Sequence, residues 1–492
     1  MKSKKGKLIL LLLIVSFIIV GCTEPLESGY EIPDSSNEDL TEVSPEEETT
    51  DENIIPEPEY DSPHPQFTKE DFLEDFDYMI QMMEDTFPYF GVAYRRLGVD
   101  IRELAAETRE IIENYPYSFH PLAEEFGIPF EDLPELNEQL FWSILHYDFF
   151  RPLVGMGHTG AIFYSTYHEN TRLRFFTREQ VVPGRRFYEA QEEFFLALIS
   201  DTPELIPLFF RRSPEDFFVS PLYESIFEPR SDLVFTEIIE EGSIAYLHIS
   251  SFHADRRRYR DLLLDFYQEI EEFDHLIIDI RDNGGGGSEI WRYLILYTLW
   301  PDPENLPTWT LYAFFNDTEP ALSLTNQYLR ETRGTTGYQR ETNHLLDIHE
   351  IIEANELSNF YPEDLFSLGY GVVMQYSLAR GQNEGLELIP FHGRIWLLIN
   401  EYNFSSSSLF ARHSKESGFA TLVGEQVGGA YTLATMPFFS LPNTGIIVRW
   451  DIDYLTDAYG VSIEEFPTTP HYFNRPGLDA LETVLQMIAE GY

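Results

Sequence analysis

The chain has 492 residues, 43% of them hydrophobic and 15% aromatic, enough apolar material for a large core and too much chain for one small domain. Its formal net charge of -51, from 84 acidic against 33 basic residues, argues against nucleic-acid binding, which needs a basic footprint to displace counterions. It also argues against adhesion to an anionic membrane through a basic face. Beyond the first seven residues the only lysines are Lys69 and Lys415, a composition that suits salty or alkaline surroundings as well as ordinary drift.

In chain order, residues 1–22 (MKSKKGKLILLLLIVSFIIVGC) come first: a basic head, a short apolar run and small residues at its end. That pattern predicts a secretory signal, and the apolar run is short for a membrane span of about 20 residues. Ile19-Val20-Gly21-Cys22 resembles the lipobox of bacterial lipoproteins. The resemblance implies lipidation of Cys22, removal of 1–21, and an extracytoplasmic chain anchored to the outer face of the cytoplasmic membrane. Cys22 is the single cysteine, so an internal disulfide is excluded. Residues 22–65 are rich in Glu, Asp, Pro, Ser and Thr and predict a disordered, self-repelling tether.

From 66 the pattern becomes that of a folded domain. Thr68, with Asp71 three residues on, predicts a capped helix start, and Phe72, Phe76, Met79, Met83 and Phe87 follow at helical spacing. Further helices are predicted over Ile101–Glu113 and Leu136–Phe149, so 66–160 reads as a helical N-terminal part. Residues 161–235 form a connecting region with helical stretches such as Glu189–Ile199 and no recognisable PDZ signal. From 236 to 490 strands and helices alternate. Strands are predicted at Ser243–Ile249, Leu276–Ile280, Ile395–Asn400, Ala420–Val423 and Gly445–Trp450. Helices are predicted at Arg256–Phe273, 406–417 and Leu478–Ala489. This alternation predicts an α/β core with a mainly parallel sheet and function at strand ends, interrupted by an insertion at 288–392.

Three stretches carry chemistry: MGHTG at 156–160, DIRDNGGGG at 279–287 and NFSSSSLFARHSKESGFATLVGE at 403–425. A nucleophilic serine needs an exposed hydroxyl, a base and backbone donors, and a strand-to-helix turn supplies the first and the last. The three stretches resemble the signatures of serine-peptidase family 41, the C-terminal-processing or tail-specific proteases. That resemblance implies a crotonase/ClpP-like core, with the insertion capping the cleft.

Counting back thirteen positions from Gly418, as the family does, gives Ser405 as nucleophile, with Ser406–Ser408 as cap or packing residues. It implies Ser406 and Gly285 as oxyanion donors, and Asp279, Arg281 and Asn283 as structural neighbours of the site. The Ser-Lys branch of the family needs a lysine where this chain has Gly428-Gly429. The tricorn-core-like branch implies His158 as acid and base, and Glu464 as the supporting acid, with Glu465 next in line. The chain departs from the family pattern at Met156, before Gly-His, and at Ser408, where a glutamate is common.

The sequence carries no metal-ligating or phosphate-binding motif, and no cofactor or metal is inferred. The expected activity is hydrolysis of peptides or unfolded protein segments through an acyl-enzyme on Ser405. The rival reading is a non-hydrolysing peptide- or ligand-binding lipoprotein on the same fold.

Overall fold

The computed structural model describes residues 67–172, 178–218, 233–253, 256–331, 339–340, 344–432 and 437–492. The expected signal segment, Cys22 and the tether lie outside these. Within the compact unit Pro65–Tyr492, the N-terminal part is helical: Lys69–Thr86, Phe90–Leu97, Ile101–Glu113 and Glu138–Ile144. The first helix starts where the sequence places it. The Thr68 hydroxyl accepts from the Asp71 N–H, and the Asp71 carboxylate accepts from the Thr68 N–H at 2.7 Å, closing a capping box. Its apolar stripe of Phe72, Phe76, Met79 and Met83 is fully buried. The predicted Leu136–Phe149 helix is shorter than expected as an α-helix and widens into a π-turn at Leu145–Phe150.

The strands in chain order are β1 (Gly160–Ala161), β2 (Val234–Glu240), β3 (Ile244–Ile249), β4 (His275–Asp279), β5 (Thr308–Asn316), β6 (Gln339–Arg340), β7 (Leu346–Asp347) and β8 (Leu368–Ser377). Then come β9 (Arg394–Ile399), β10 (Thr421–Gly424), β11 (Phe438–Ser440), β12 (Ile447–Arg449), β13 (Tyr454–Thr456) and β14 (Tyr472–Phe473). The central sheet runs β14-β10-β9-β4-β3-β2, parallel except for the β2–β3 edge. The fold is therefore mixed α/β with a helical N-terminal part and a mainly parallel central sheet.

Continuous apolar strands are what a sheet covered on both faces requires. In β9 the side chains of Ile395, Leu397 and Ile399 enter the main core. Trp396 and Leu398 face the opposite side, packed with Ala480, Val484 and Met487 of the closing helix. At the C-terminal end of β10, Gly424 has φ 131°, and a Cβ there would fall 1.9 Å from the Ile399 carbonyl oxygen, so a side chain is excluded.

One expectation is corrected. The predicted strand Gly445–Trp450 shortens to β12 and lies in a separate antiparallel sheet, β1-β12-β11, rather than in the parallel sheet. The insertion supplies β5, β6, β7 and β8 to a further antiparallel sheet, β13-β5-β8-β6 with β7 beside β8, whose edge strand β13 comes from beyond the insertion. Among the described residues between Ala161 and Val234 the regular structure is helical. No helix of the described residues is long and apolar enough to cross a membrane.

Candidate active site

Strand β9 ends at Ile399, and a turn leads into the helix Ser406–Glu416 with Ser405 at its N-cap. Ser405 has φ 56° and ψ -122°, a conformation side-chain-bearing residues rarely adopt. Strain of this kind concentrates at functional turns, where surrounding bonds hold it in place. Here the Ser405 N–H donates to the Gly429 carbonyl at 3.0 Å, and its own carbonyl accepts from the Leu409 N–H at 3.1 Å.

The four serines have separate environments. The Ser406 hydroxyl accepts from Trp291 Nε1 at 2.8 Å. The Ser407 hydroxyl bonds the Asn283 carbonyl at 2.6 Å and the Phe404 backbone, and the Ser408 hydroxyl donates to the Asn403 carbonyl at 2.9 Å. Ser406, Ser407 and Ser408 are buried, whereas Ser405 is half-exposed with no hydrogen bond on its hydroxyl among the described residues.

The glycine turn after β4 lies against this serine. A Cβ on Gly285 would fall 2.9 Å from Ser405 Cβ and 3.0 Å from the Ser406 nitrogen, so only glycine fits. The Ser406 N–H takes part in no hydrogen bond among the described residues, consistent with its expected place as a donor. The Gly285 N–H is different: it donates to Asn283 Oδ1 at 2.8 Å, while Asn283 Nδ2 donates to the Ile249 carbonyl at 3.0 Å. Gly285 is thus occupied by the side chain that shapes its own turn, and the expectation of a free oxyanion donor there is corrected. Asp279 is buried and receives the Arg281 guanidinium at 2.6 Å and the Tyr246 hydroxyl at 2.8 Å, the structural part expected of Asp279 and Arg281.

His158 is buried, and its ring meets Phe404, the residue before Ser405, edge-on at 5.1 Å between centroids. No hydrogen bond joins the imidazole to the Ser405 hydroxyl. The acid that meets the imidazole is not the one expected to support it. His158 Nδ1 lies 2.8 Å from both carboxylate oxygens of Asp451, and the His158 N–H donates to the same carboxylate at 3.1 Å. Glu464 does not touch the ring. Its buried carboxylate accepts from the backbone N–H groups of Gly157, Ala430 (3.0 Å) and Tyr431 (3.1 Å). Glu465 is held away by Arg95 at 2.8 and 2.7 Å.

Glu464 is therefore a clasp between the His158 loop and the segment that anchors Ser405. Arg96 completes the clasp: it donates to the carbonyls of Gly155 (2.6 Å), Glu464 (2.9 Å) and Gly428 (2.8 Å). Neither Asp451 nor Arg96 was among the sequence candidates. A signal for Asp451 does exist, since an aspartate inside the apolar run IIVRWDIDYL is a buried charge needing a partner.

Burial pushes the Glu464 carboxyl up from its ordinary 4.5 to about 7, against the opposing pull of Arg96 and the backbone donors. The folded chain thus holds this proton more tightly than the unfolded one. Its contribution to stability is complete below pH 4.5 and is lost as pH rises through about 7. The full swing is about 3 kcal/mol. Urea unfolding across this range should show Glu464→Gln gaining on the parent as pH rises, and parallel profiles would rule the shift out.

Comparison with known proteins adds a match to a family model over part of the chain. Residues 243–305 and 318–473 match the family model described as Peptidase family S41. No curated protein matches. Solved structures with a similar course include mature CPAF bound to lactacystin (14% identity, 86% of this chain and 96% of that one, TM-score 0.44). A lipoprotein from Streptococcus agalactiae is similar at 10% identity over 88% of this chain and 99% of that one, with TM-score 0.39. The photosystem II D1 C-terminal processing protease is similar at 14% identity over 53% of each chain, with TM-score 0.30, so the match spans about half of that protein. Likenesses this distant say nothing about chemistry here, which rests on the family match and the site's geometry.

Proposed function

We propose, from the match of residues 243–305 and 318–473 to the model described as Peptidase family S41, that this chain is a serine-type peptidase whose site works as follows. Ser405 is the nucleophile, His158 the general acid and base, and Asp451 the acid that orients the imidazole. The observation that carries the assignment is the grip of both Asp451 oxygens on His158 Nδ1 at 2.8 Å, with the ring against the residue preceding the strained serine. That grip puts the proton on Nδ1 and leaves Nε2 as the base. Serine and imidazole close up when substrate binds, as catalytic hydrogen bonds commonly do. The Ser405 oxygen then attacks the scissile carbonyl while Nε2 takes its proton. The Ser406 N–H faces the developing oxyanion. Nε2 returns the proton to the leaving amine, and water, activated the same way, releases the acyl group.

The substrates are peptides or unfolded protein segments outside the cytoplasm. A cavity of about 460 Å³ lies between Asn359, Phe360 and Tyr361 of the insertion and Val461 and Phe466, and Ser405, His158 and Asp451 are not among the residues lining it. The N-terminal pattern supports a lipid anchor at Cys22 and an acidic tether holding the peptidase off the membrane. Cys22→Ala should move the protein from the membrane fraction to the soluble one; unchanged fractionation would refute the anchor.

The reading is tested by incubating the full chain and its Ser405→Ala variant with unfolded proteins and identifying new termini by mass spectrometry. New termini with the parent alone support it. Equal cleavage by both moves the nucleophile elsewhere. Cleavage by neither favours a peptide-binding protein on the same fold.

A further inference from the structure

A second cavity, of about 350 Å³, opens where the helices Lys69–Thr86, Phe90–Leu97 and Ile101–Glu113 meet the insertion at 363–367. Ser405, His158 and Asp451 are not among the residues lining it. The carboxylates of Glu84, Asp100, Glu363 and Asp364 are, together with the guanidinium of Arg102. At its edge Arg95 pairs with Glu363, Asp364 and Glu465, so two arginines stand among five carboxylates and the excess charge is negative.

Phe90, Tyr94 and Phe366 line the same space, and Tyr94 and Phe366 are 64% and 94% exposed. Large aromatic side chains scattered singly over a surface need no explanation, but two at one cavity mouth, among carboxylates, offer ring faces to a cation. The walls already hold a guanidinium in this way: Arg102 lies over the Phe90 ring at 4.6 Å while it bonds Glu84 at 2.7 Å. A separate observation comes from Asn316, which ends β5 and also lines the cavity. It is 2% exposed, and its Nδ2 donates to the Asp85 carbonyl at 3.3 Å, but its Oδ1 has no hydrogen-bond partner among the described residues. A buried acceptor without a donor is unfavourable, and the carboxylates around it are acceptors as well. What the cavity lacks is a donor that carries positive charge.

We propose that this cavity is an accessory binding site for a basic side chain, arginine or lysine, of the polypeptide substrate, separate from the residues that cut. This rests on the peptidase reading above and adds a feature of the substrate to it. A guanidinium or ammonium brings donors to Asn316 and the carboxylates and lies against the faces of Tyr94 and Phe366. The net charge of -51 draws basic segments from solution, and the cavity is where that charge coincides with aromatic walls. It shares a wall with the catalytic loop: Phe87 lines the cavity, and its ring edge lies 3.4 Å from where a Cβ on Gly157, the neighbour of His158, would stand. A chain held here is held beside the loop that carries the base.

The test uses full-length Ser405→Ala protein, so that binding is read without turnover. Fluorescein-labelled peptides of alanine and serine carry one central arginine or its uncharged isostere citrulline, and a second pair carries lysine or norleucine. Dissociation constants are measured by fluorescence anisotropy. The basic member of a pair should bind about 10- to 100-fold more tightly than its neutral partner, and the pair with the larger difference identifies the preferred side chain. Adding Glu363→Gln with Phe366→Ala, both exposed positions, should abolish the difference, with thermal unfolding confirming that the variant folds. Tyr117→Ala, an exposed aromatic outside the cavity, should leave it unchanged. With Ser405 intact, the same preference should appear in KM rather than kcat. Equal binding of both members in each pair overturns the inference. Discrimination that survives Glu363→Gln with Phe366→Ala overturns it too, since the net charge alone would then account for it. Failure of all the peptides to bind also overturns it, while the peptidase reading is left to the cleavage assay.

Discussion

Asp451→Asn is expected to lower kcat/KM for peptide hydrolysis about 10⁴-fold with little change in folding, measured on a peptide taken from the cleavage map. In the proposed mechanism the aspartate does two things at once. It accepts the Nδ1 proton, which keeps Nε2 free as the base, and it stabilises the imidazolium formed as Ser405 attacks. An asparagine can still accept the His158 N–H, now bound at 3.1 Å, so the loop should keep its place. Its amide can also donate to Nδ1, which favours the wrong tautomer, and its neutral group leaves the imidazolium uncompensated. Glu464→Gln separates the two acids. Glu464 reaches backbone N–H groups and not the ring, so its loss acts through loop position and should cost the rate far less. A 10⁴-fold loss in Glu464→Gln with a nearly intact Asp451→Asn would reverse the assignment.

Ser405→Ala should be the most damaging single change, lowering kcat by about 10⁶-fold and leaving only what binding and the oxyanion donor provide. Because nucleophile, base and orienting acid act as one unit, adding Asp451→Asn to Ser405→Ala should produce almost no further loss. Additive losses would mean that Asp451 does not act through Ser405. The neighbouring serines supply the control. Ser406→Ala removes a hydroxyl that only accepts from the Trp291 indole, yet keeps the backbone N–H assigned to the oxyanion. It should fold and retain activity within about tenfold, since the lost interaction is one ordinary hydrogen bond. Ser407→Ala removes a hydroxyl that ties the Asn283 turn to Phe404, so its effect should appear in thermal stability as well as rate.

Much of the fold was legible because its causes are local. The capping box at Thr68, the Phe72–Met83 stripe and the apolar strand β9 follow from residue type and spacing, and the folded chain keeps them. The placement of the serine was legible too, since Ser405 stands at the strand-to-helix turn that the motif implied, with the other three hydroxyls occupied.

What failed were relations between distant segments. The strand near 447 carries the same apolar pattern whether it joins a parallel sheet or pairs with two residues beside the His158 loop. Glu464 and Asp451 are both acids in the same C-terminal stretch, and composition cannot say which faces an imidazole. Their separation depends on the turn after β12, which delivers Asp451 to Nδ1, and on the three backbone N–H groups that take Glu464. The sequence by itself pointed to the class of chemistry and to the candidate serine and histidine, because a hydroxyl at a helix start and a Gly-His turn are encoded within a few residues. Only the tertiary structure decided which acid meets the His158 ring and that Gly285 is already bonded to Asn283. Each of these depends on distances of about 3 Å between side chains and backbone groups that folding alone brings together.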